Sequence, residues 1–459
     1  MRTCGALLAL VAVVLGACGG GGAQAAAPSA SKAAARSPAA RAAPSSMPPA
    51  TASAPARGAA SAAARATLVT VPSPRPATAA PAPLGARVDH HDLPLGAGAL
   101  SGATASGGGI AIAGGATGSW TSAWYAPGFG FTRLVPSWSA ETSGAAFIRV
   151  LMQGRTAGGD ETAWYSFGVW AYDDAAVARS SSDGQRDRFG HVETDTYVAV
   201  VPLAAYRLRV ELYRSAASAA TPLLRSIGAV VSDPASFEAV TPCTPGTCPL
   251  SGIGKDLAVP AYSQEIHSGE LPQFDGGGEA WCSPTSTAMV LAYWHSGPAP
   301  ADLGWLPASY TDRAVDDAAR YTYDAAYGGT GNWPFNTAYA AHFGLRAFVT
   351  QLRSLGEAER FIAAGLPLVA SVKVAPTSLP GFPLPQGTDG HLLVIRGFTP
   401  GGDVIVNDPA ATTDATVRRV YGRAAFERAW IGGSDGTVYV VYPFGVPVPV
   451  QVPGATPNW

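Results

Sequence analysis

Trp281-Cys282-Ser283-Pro284-Thr285-Ser286-Thr287-Ala288-Met289-Val290-Leu291-Ala292-Tyr293-Trp294 reads as the opening of a buried helix. Ser283 is a good N-cap, and Pro284 suits the first helical position because its missing N–H costs nothing there. The apolar run behind them can pack on all sides. Cys282 then stands at the positive end of the helix dipole, where a thiol loses its proton more readily. A structural cysteine would more naturally fall inside the apolar run. The stretch reads as a nucleophile placed on a helix start.

A thiolate nucleophile needs an imidazole that takes up the thiol proton and later protonates the leaving amine. Of the seven histidines, His90 and His91 border an N-terminal low-complexity tract and His191 lies in a strand-rich region. His267, His295 and His342 carry no orienter pattern. His391 opens the strand-like run His391-Leu392-Leu393-Val394-Ile395-Arg396-Gly397-Phe398. Thr399-Pro400-Gly401-Gly402 turns the chain, and Asp403-Val404-Ile405-Val406-Asn407-Asp408 returns. With Pro400-Gly401 as a two-residue loop, His391 lies opposite Ala410 and Asp408 faces Leu393. Asp408 is then diagonal to His391 on the same face, roughly 7–8 Å away at the backbone, which the two side chains can bridge. A four-residue loop keeps this parity, whereas a bulge would bring Asn407 round instead. For the oxyanion, Val259-Pro260-Ala261-Tyr262-Ser263-Gln264 ends in an amide that can act with the Cys282 N–H.

Four motifs in this order, Val-Pro-x-Tyr-Ser-Gln, Trp-Cys-Ser-Pro-Thr-Ser, Asp389-Gly390-His391 and Val406-Asn407-Asp408-Pro409-Ala410, resemble the bacteriocin-processing (double-glycine) peptidase-like cysteine peptidases of the papain-like superfamily. The resemblance covers residues 255–443. It implies an α+β papain-like domain with Cys282 as nucleophile, His391 as base, Asp408 as orienter and Gln264 as oxyanion donor. Trp281, Trp333 and Gly390 are expected along the substrate groove, with core packing as the other reading of the two tryptophans. Two departures stand out: no transporter is fused to the domain, and Ser-Pro follows the cysteine where relatives carry Gly-Pro or Gly-Ser. A helix near 358–364 and strands over 367–374 and 437–442 fit the same domain.

Upstream, short strand-like runs over 146–152, 196–201 and 206–213 alternate with glycine and polar turns, which predicts an all-β sandwich or jelly-roll module over 89–240. Its tryptophans, Trp120, Trp124, Trp138, Trp164 and Trp170, serve either core packing or stacking on sugar rings. Residues 241–254 form a linker in which Cys243 and Cys248 read as a local disulfide. A zinc site there would need two further ligands, and only His267 and Cys282 are near in sequence. No metal or other cofactor is expected. Residues 444–459 read as a C-terminal tail.

At the other end, Met1-Arg2 precedes a 13-residue apolar run, Gly5 to Ala17, too short to span a bilayer. Leu15-Gly16-Ala17-Cys18 resembles the bacterial lipoprotein signal, so residues 1–17 are expected to leave and Cys18 to carry lipid. Residues 18–88, rich in alanine and proline, cannot bury a core and read as a tether. The tether region 19–88 carries seven basic and no acidic residues. From Asp89 onward there are 22 basic and 32 acidic residues, an excess of negative charge that offers nothing to nucleic acid. The sequence thus predicts an exported, lipid-anchored hydrolase acting on a peptide or protein, peptidoglycan peptides included. A non-catalytic wall- or glycan-binding lipoprotein and a transglutaminase-like acyl transferase are the alternatives. A chance G-x-S-x-G at Gly432–Gly436 lacks the preceding strand and following helix of a hydrolase elbow.

Overall fold

The computed structural model describes residues 87–215, 220–239, 252–452 and 454–459. The signal, Cys18 and the Cys243–Cys248 pair lie outside the described residues. The expected tether reaches 88, yet Arg87 and Val88 already belong to the first strand, and Val88 is fully buried.

The N-terminal region is an antiparallel β structure: β1 (Arg87–Asp92), β2 (Ala99–Ser101), β3 (Ala103–Ser106), β4 (Gly109–Ile112), β5 (Thr117–Thr121), β6 (Phe131–Glu141), β7 (Phe147–Thr156), β8 (Tyr165–Trp170), β9 (Gly190–Glu193), β10 (Thr196–Tyr213) and β11 (Leu223–Asp233). The expected strands at 196–201 and 206–213 are the two ends of β10. Its first half pairs with β9 and β6, and its second half with β7 and β5. The ladder shifts register around Leu203, where the strand changes partners. Alternate side chains of its second half, Tyr206, Leu208, Val210 and Leu212, are fully buried, as period-two patterning requires. Trp120, Trp138 and Trp170 pack in the core. Trp124 and Trp164 are half-buried, and arginines occupy their faces: Arg155 sits 3.9 Å over Trp124 and Arg209 4.1 Å over Trp164. Those cation–π contacts take the ring surfaces a sugar would need.

The C-terminal region mixes helices with a second antiparallel sheet. Its elements are α1 (Cys282–Tyr293), α2 (Ala314–Thr322), α3 (Trp333–His342), β12 (Leu345–Gln351), α4 (Leu355–Ala363), β13 (Leu368–Val374), β14 (Thr388–Phe398), β15 (Val404–Asn407), α5 (Asp414–Val417), β16 (Arg418–Tyr421), α6 (Arg423–Ser434) and β17 (Thr437–Pro443). The strand order is β12-β17-β13-β14-β15-β16. Every residue of α1 from Ser283 to Leu291 is buried, so this helix forms the middle of the domain.

The two regions pack as one unit. Ser137 Oγ on β6 accepts the Val349 N–H of β12 at 2.8 Å, and Asp174 receives Arg320 of α2 at 2.7 and 3.0 Å. Arg353, fully buried, donates to the Val88 carbonyl, Glu357 and Asn458. Asn458 thereby draws the C-terminal segment into the interior. No helix among the described residues is long and apolar enough to cross a membrane.

Candidate active site

The helix start differs in detail from expectation. α1 begins at Cys282 itself, with Trp281 as its N-cap residue and no side-chain cap. Ser283 does not cap: its hydroxyl meets the Tyr439 hydroxyl of β17 at 2.9 Å. Both groups are buried, and their pairing satisfies both hydroxyls, whereas a capping Ser283 would leave that of Tyr439 unpaired. Cys282 is partly exposed, at the end of an otherwise buried helix. Trp281 is a core residue, fully buried, with its Nε1 donating to the Phe274 carbonyl at 2.7 Å.

His391 lies on β14 and is buried. Its Nε2 donates to Asp408 Oδ1 at 2.8 Å, which leaves Nδ1 for the thiol. Asp408 is fully buried and saturated. Oδ2 accepts the Tyr421 hydroxyl at 2.6 Å, and Oδ1 also accepts the Ala410 N–H at 3.1 Å. Burial favours the neutral form of both groups. The Asp408 carboxylate, with Cys282 adding to it, nevertheless holds the His391 imidazolium up to about 10. Against the same burial, the imidazolium, the Tyr421 hydroxyl and the Ala410 N–H hold Asp408 below the ordinary carboxylate range. The ring edge of Phe382 closes the site above His391, at 5.5 Å between centroids.

The hairpin reaches this geometry by another route than a two-residue turn. Thr399 N–H bonds to Asp403 O, so three residues form the loop, which alone would have reversed the parity. A bulge at Arg396 restores it: Gly397 pairs with Ile405, but Ile395 pairs with Val406 and Val394 with Asn407. The bulge therefore delivers Asp408 to His391. Asn407 instead points away, donating to the Val259 and Pro260 carbonyls at 3.2 and 2.8 Å and accepting from Arg396.

Gln264 is docked beside the same loop. Its N–H bonds to the Pro409 carbonyl at 2.9 Å, and Ser263 is held by Asp414 and Ala411. The Gln264 Nε2 donates to the Glu279 carbonyl at 2.5 Å and to Glu265 Oε1 at 3.1 Å. Its second hydrogen must leave Glu265 to reach an oxyanion.

Cys282, His391 and Gln264 share one cavity of about 670 Å³. Trp333 and Gly390 line it as well; Trp281 does not. Both regions build the walls: Arg133, Glu193, Asp195 and Ser232 come from the β region, and Gln351, Asp389 and Asp435 from the other. The rejected Gly432–Gly436 run contributes Ser434 and Asp435 as wall residues at the end of α6, not as an elbow.

Residues 110–232 match the family described as Peptidase C39 N-terminal domain, and residues 256–436 match the Peptidase_C39 like family. The chain belongs to the C39-like cysteine peptidase family. No curated protein matches it. One solved structure, from a study of promiscuous carbohydrate-binding modules of the β-sandwich superfamily, is similar at 15% identity with a TM-score of 0.16. It covers 33% of this chain and 56% of that one, too distant a likeness to carry the fold. Family membership supports a papain-like fold for the C39-like domain. Two residues of this C39-like site carry no sequence signal. Tyr421 reaches Asp408 only through the β15–β16 pairing, and Asp195 reaches the cleft from another region of the chain.

Proposed function

We propose that the protein is a cysteine peptidase cleaving a peptide or amide bond through a Cys282 thioester. The observation that carries this reading is the buried His391–Asp408–Tyr421 chain, whose His391 lines one cavity with a partly exposed thiol at a helix start. The Cys282 sulfur attacks the carbonyl carbon, and the oxyanion forms toward the Cys282 N–H and Gln264. His391 Nδ1 gives its proton to the leaving nitrogen, the C–N bond breaks, and a thioester remains. His391 then takes a proton from water, whose oxygen attacks the thioester; the acid leaves and the thiol is regenerated. Asp408 fixes the ring orientation and balances its charge, and Tyr421 fixes Asp408.

The cleft itself suggests the substrate's charge. Asp195, Asp275, Glu279, Asp435, Glu193 and Asp389 line it against a single arginine, Arg133. Among the described residues Asp389 pairs with Lys373 and Glu193 with His191, and no lysine or arginine forms an ion pair with the other four. Such a surface favours a peptide carrying free amines near the scissile bond. The N-terminal region, one 11-stranded antiparallel sheet in which the long strand β10 changes partners at Leu203, supplies one wall of the cleft and is assigned here to the β-sandwich class. Lipid attachment at Cys18 would place the enzyme outside the cytoplasm at a membrane; a labelled fatty acid incorporated into the native chain and lost in Cys18→Ala tests this.

The test of the activity is mass spectrometry of the chain mixed with amine-bearing peptides. The expected result is peptide cleavage with an acyl adduct on Cys282, both lost in Cys282→Ala. Transfer of that acyl group to an added amine in preference to water would make the enzyme an acyl transferase. No cleavage and no adduct with any peptide would leave the site a docking surface.

A further inference from the structure

Behind the catalytic cysteine, outside the cleft, three side chains converge on one point. His267 Nδ1 lies 2.8 Å from Glu270 Oε2 and 3.3 Å from Asp316 Oδ2, and all three ligand atoms lie within 4.8 Å of one another. His267 and Asp316 are fully buried, and the Glu270 side chain is 19% exposed. An imidazole offers one hydrogen at Nδ1, and a single N–H cannot serve two carboxylates well. Glu270 takes it at the shorter distance. Asp316 is then a buried carboxylate with no well-formed hydrogen bond at either oxygen, its Oδ2 lying 3.3 Å from the imidazole nitrogen. Among the described residues no lysine or arginine forms an ion pair with Glu270 or Asp316. Asp312, which shares a hydrogen bond with Asp414, is near enough to feel the charge of Asp316. A buried charge without a partner costs several kcal/mol, on the order of a whole domain's margin of stability.

We propose that His267, Glu270 and Asp316 bind a divalent transition-metal ion. A neutral imidazole, two carboxylates and a dication sum to zero charge, whereas an imidazolium with the same carboxylates leaves one negative charge buried. An imidazole with two carboxylates suits Zn²⁺ or Mn²⁺; Mg²⁺ and Ca²⁺ prefer oxygen ligands alone. Entry lies on the side of Glu270, the one ligand that is not fully buried. The ion's role is structural. His267 closes the 3₁₀ turn that follows Gln264, its N–H bonding to the Gln264 carbonyl at 3.1 Å, and its ring lies 6.0 Å from that of Trp281. Asp316 belongs to α2. The ion would clamp the loop between Gln264 and Cys282 onto α2, so both ends of the oxyanion site would rest on it.

The test uses the full chain carrying Cys282→Ser, so that the catalytic thiol cannot hold metal and peptidase activity plays no part. Metal content after dialysis, titration calorimetry with Zn²⁺ and with Mn²⁺, and melting with and without chelator are measured. We expect one equivalent of Zn²⁺ or Mn²⁺, a melting temperature lowered by chelator and restored by the metal, and binding weakened about tenfold or more by Glu270→Gln. Glu270→Gln changes a partly exposed side chain and keeps the test alive if Asp316→Asn fails to fold. No binding of either ion, or binding that neither Glu270→Gln nor His267→Gln weakens, overturns the proposal. Failure here leaves the Cys282 chemistry untouched, and an inactive Cys282 leaves this binding untouched.

Discussion

In the proposed mechanism the proton that His391 carries sets the pH range of activity. The imidazolium would protonate the leaving amine, and here it persists to about 10 because Asp408 outweighs the cost of burial. The basic limb of kcat/KM is therefore expected near 10, well above the ordinary histidine value of about 6.5. In Asp408→Asn the compensating charge is gone while burial remains, and the limb should fall by more than one unit, with kcat dropping at least tenfold. Tyr421→Phe removes one of three hydrogen bonds to Asp408. It should lower the limb less and cost a few-fold in kcat, on the scale of a hydrogen bond to a charged group. Iodoacetamide capture of Cys282 at pH 6 reads the same pairing from the sulfur side, and His391→Ala should slow it at least tenfold. The same shift has a stability consequence. A histidine raised above its unfolded value contributes fully below about pH 6.5, and that contribution is lost as pH rises through about 10.

At the level of elements, β1 predicts the opposite sign. His90 is buried against Phe348, ring centroids 4.3 Å apart, and its Nε2 has no partner. Burial lowers it to about 4, so the unfolded chain takes up the proton first. Stability from this position is present above about pH 6.5 and lost as the pH falls toward 4, by on the order of 3 kcal/mol at the lower end. His90→Leu should flatten the acid side of a melting-temperature profile; a profile parallel to the parent's would mean that His90 is not buried neutral. Elements also mark what the sequence discloses. The helix at Cys282 and the strands around His391 and Asp408 were legible because they are local patterns: an apolar run behind Ser-Pro, and two β-branched stretches about a Pro-Gly turn. Parity at Asp408 was readable for the same reason, though the two-residue loop was not. A three-residue loop and the Arg396 bulge cancel, and only pairing in three dimensions shows that. Ser283 looked like a cap because the sequence cannot display Tyr439, 156 residues away. His267 looked unaccompanied because its partner Asp316 lies on a helix 49 residues further on.

Across the whole molecule, the cleft joins regions that no local pattern links. Asp195 ends the turn before β10, yet its Oδ2 accepts the Trp333 N–H at 2.8 Å, placing a β-region carboxylate on the wall of the cavity that Cys282 and His391 line. Burial pushes Asp195 up to about 6, with the Trp333 N–H and Thr196 hydroxyl opposing. The charge of the cleft therefore changes within the working range set by His391. For an amine-bearing peptide, KM should rise as the pH falls through about 6, while kcat, governed by the imidazolium, should hold. Raising ionic strength should increase KM for the same peptide, because exposed charges are screened over about 10 Å at 0.1 M salt. A neutral peptide of equal length should show neither effect. Asp435→Asn, a cleft carboxylate supplied by the other region of the chain, should raise KM for the amine-bearing peptide and leave that for the neutral one. If the two peptides respond alike to pH and salt, the cleft's acidity serves folding and not recognition. The β region's contribution would then be the wall's shape alone.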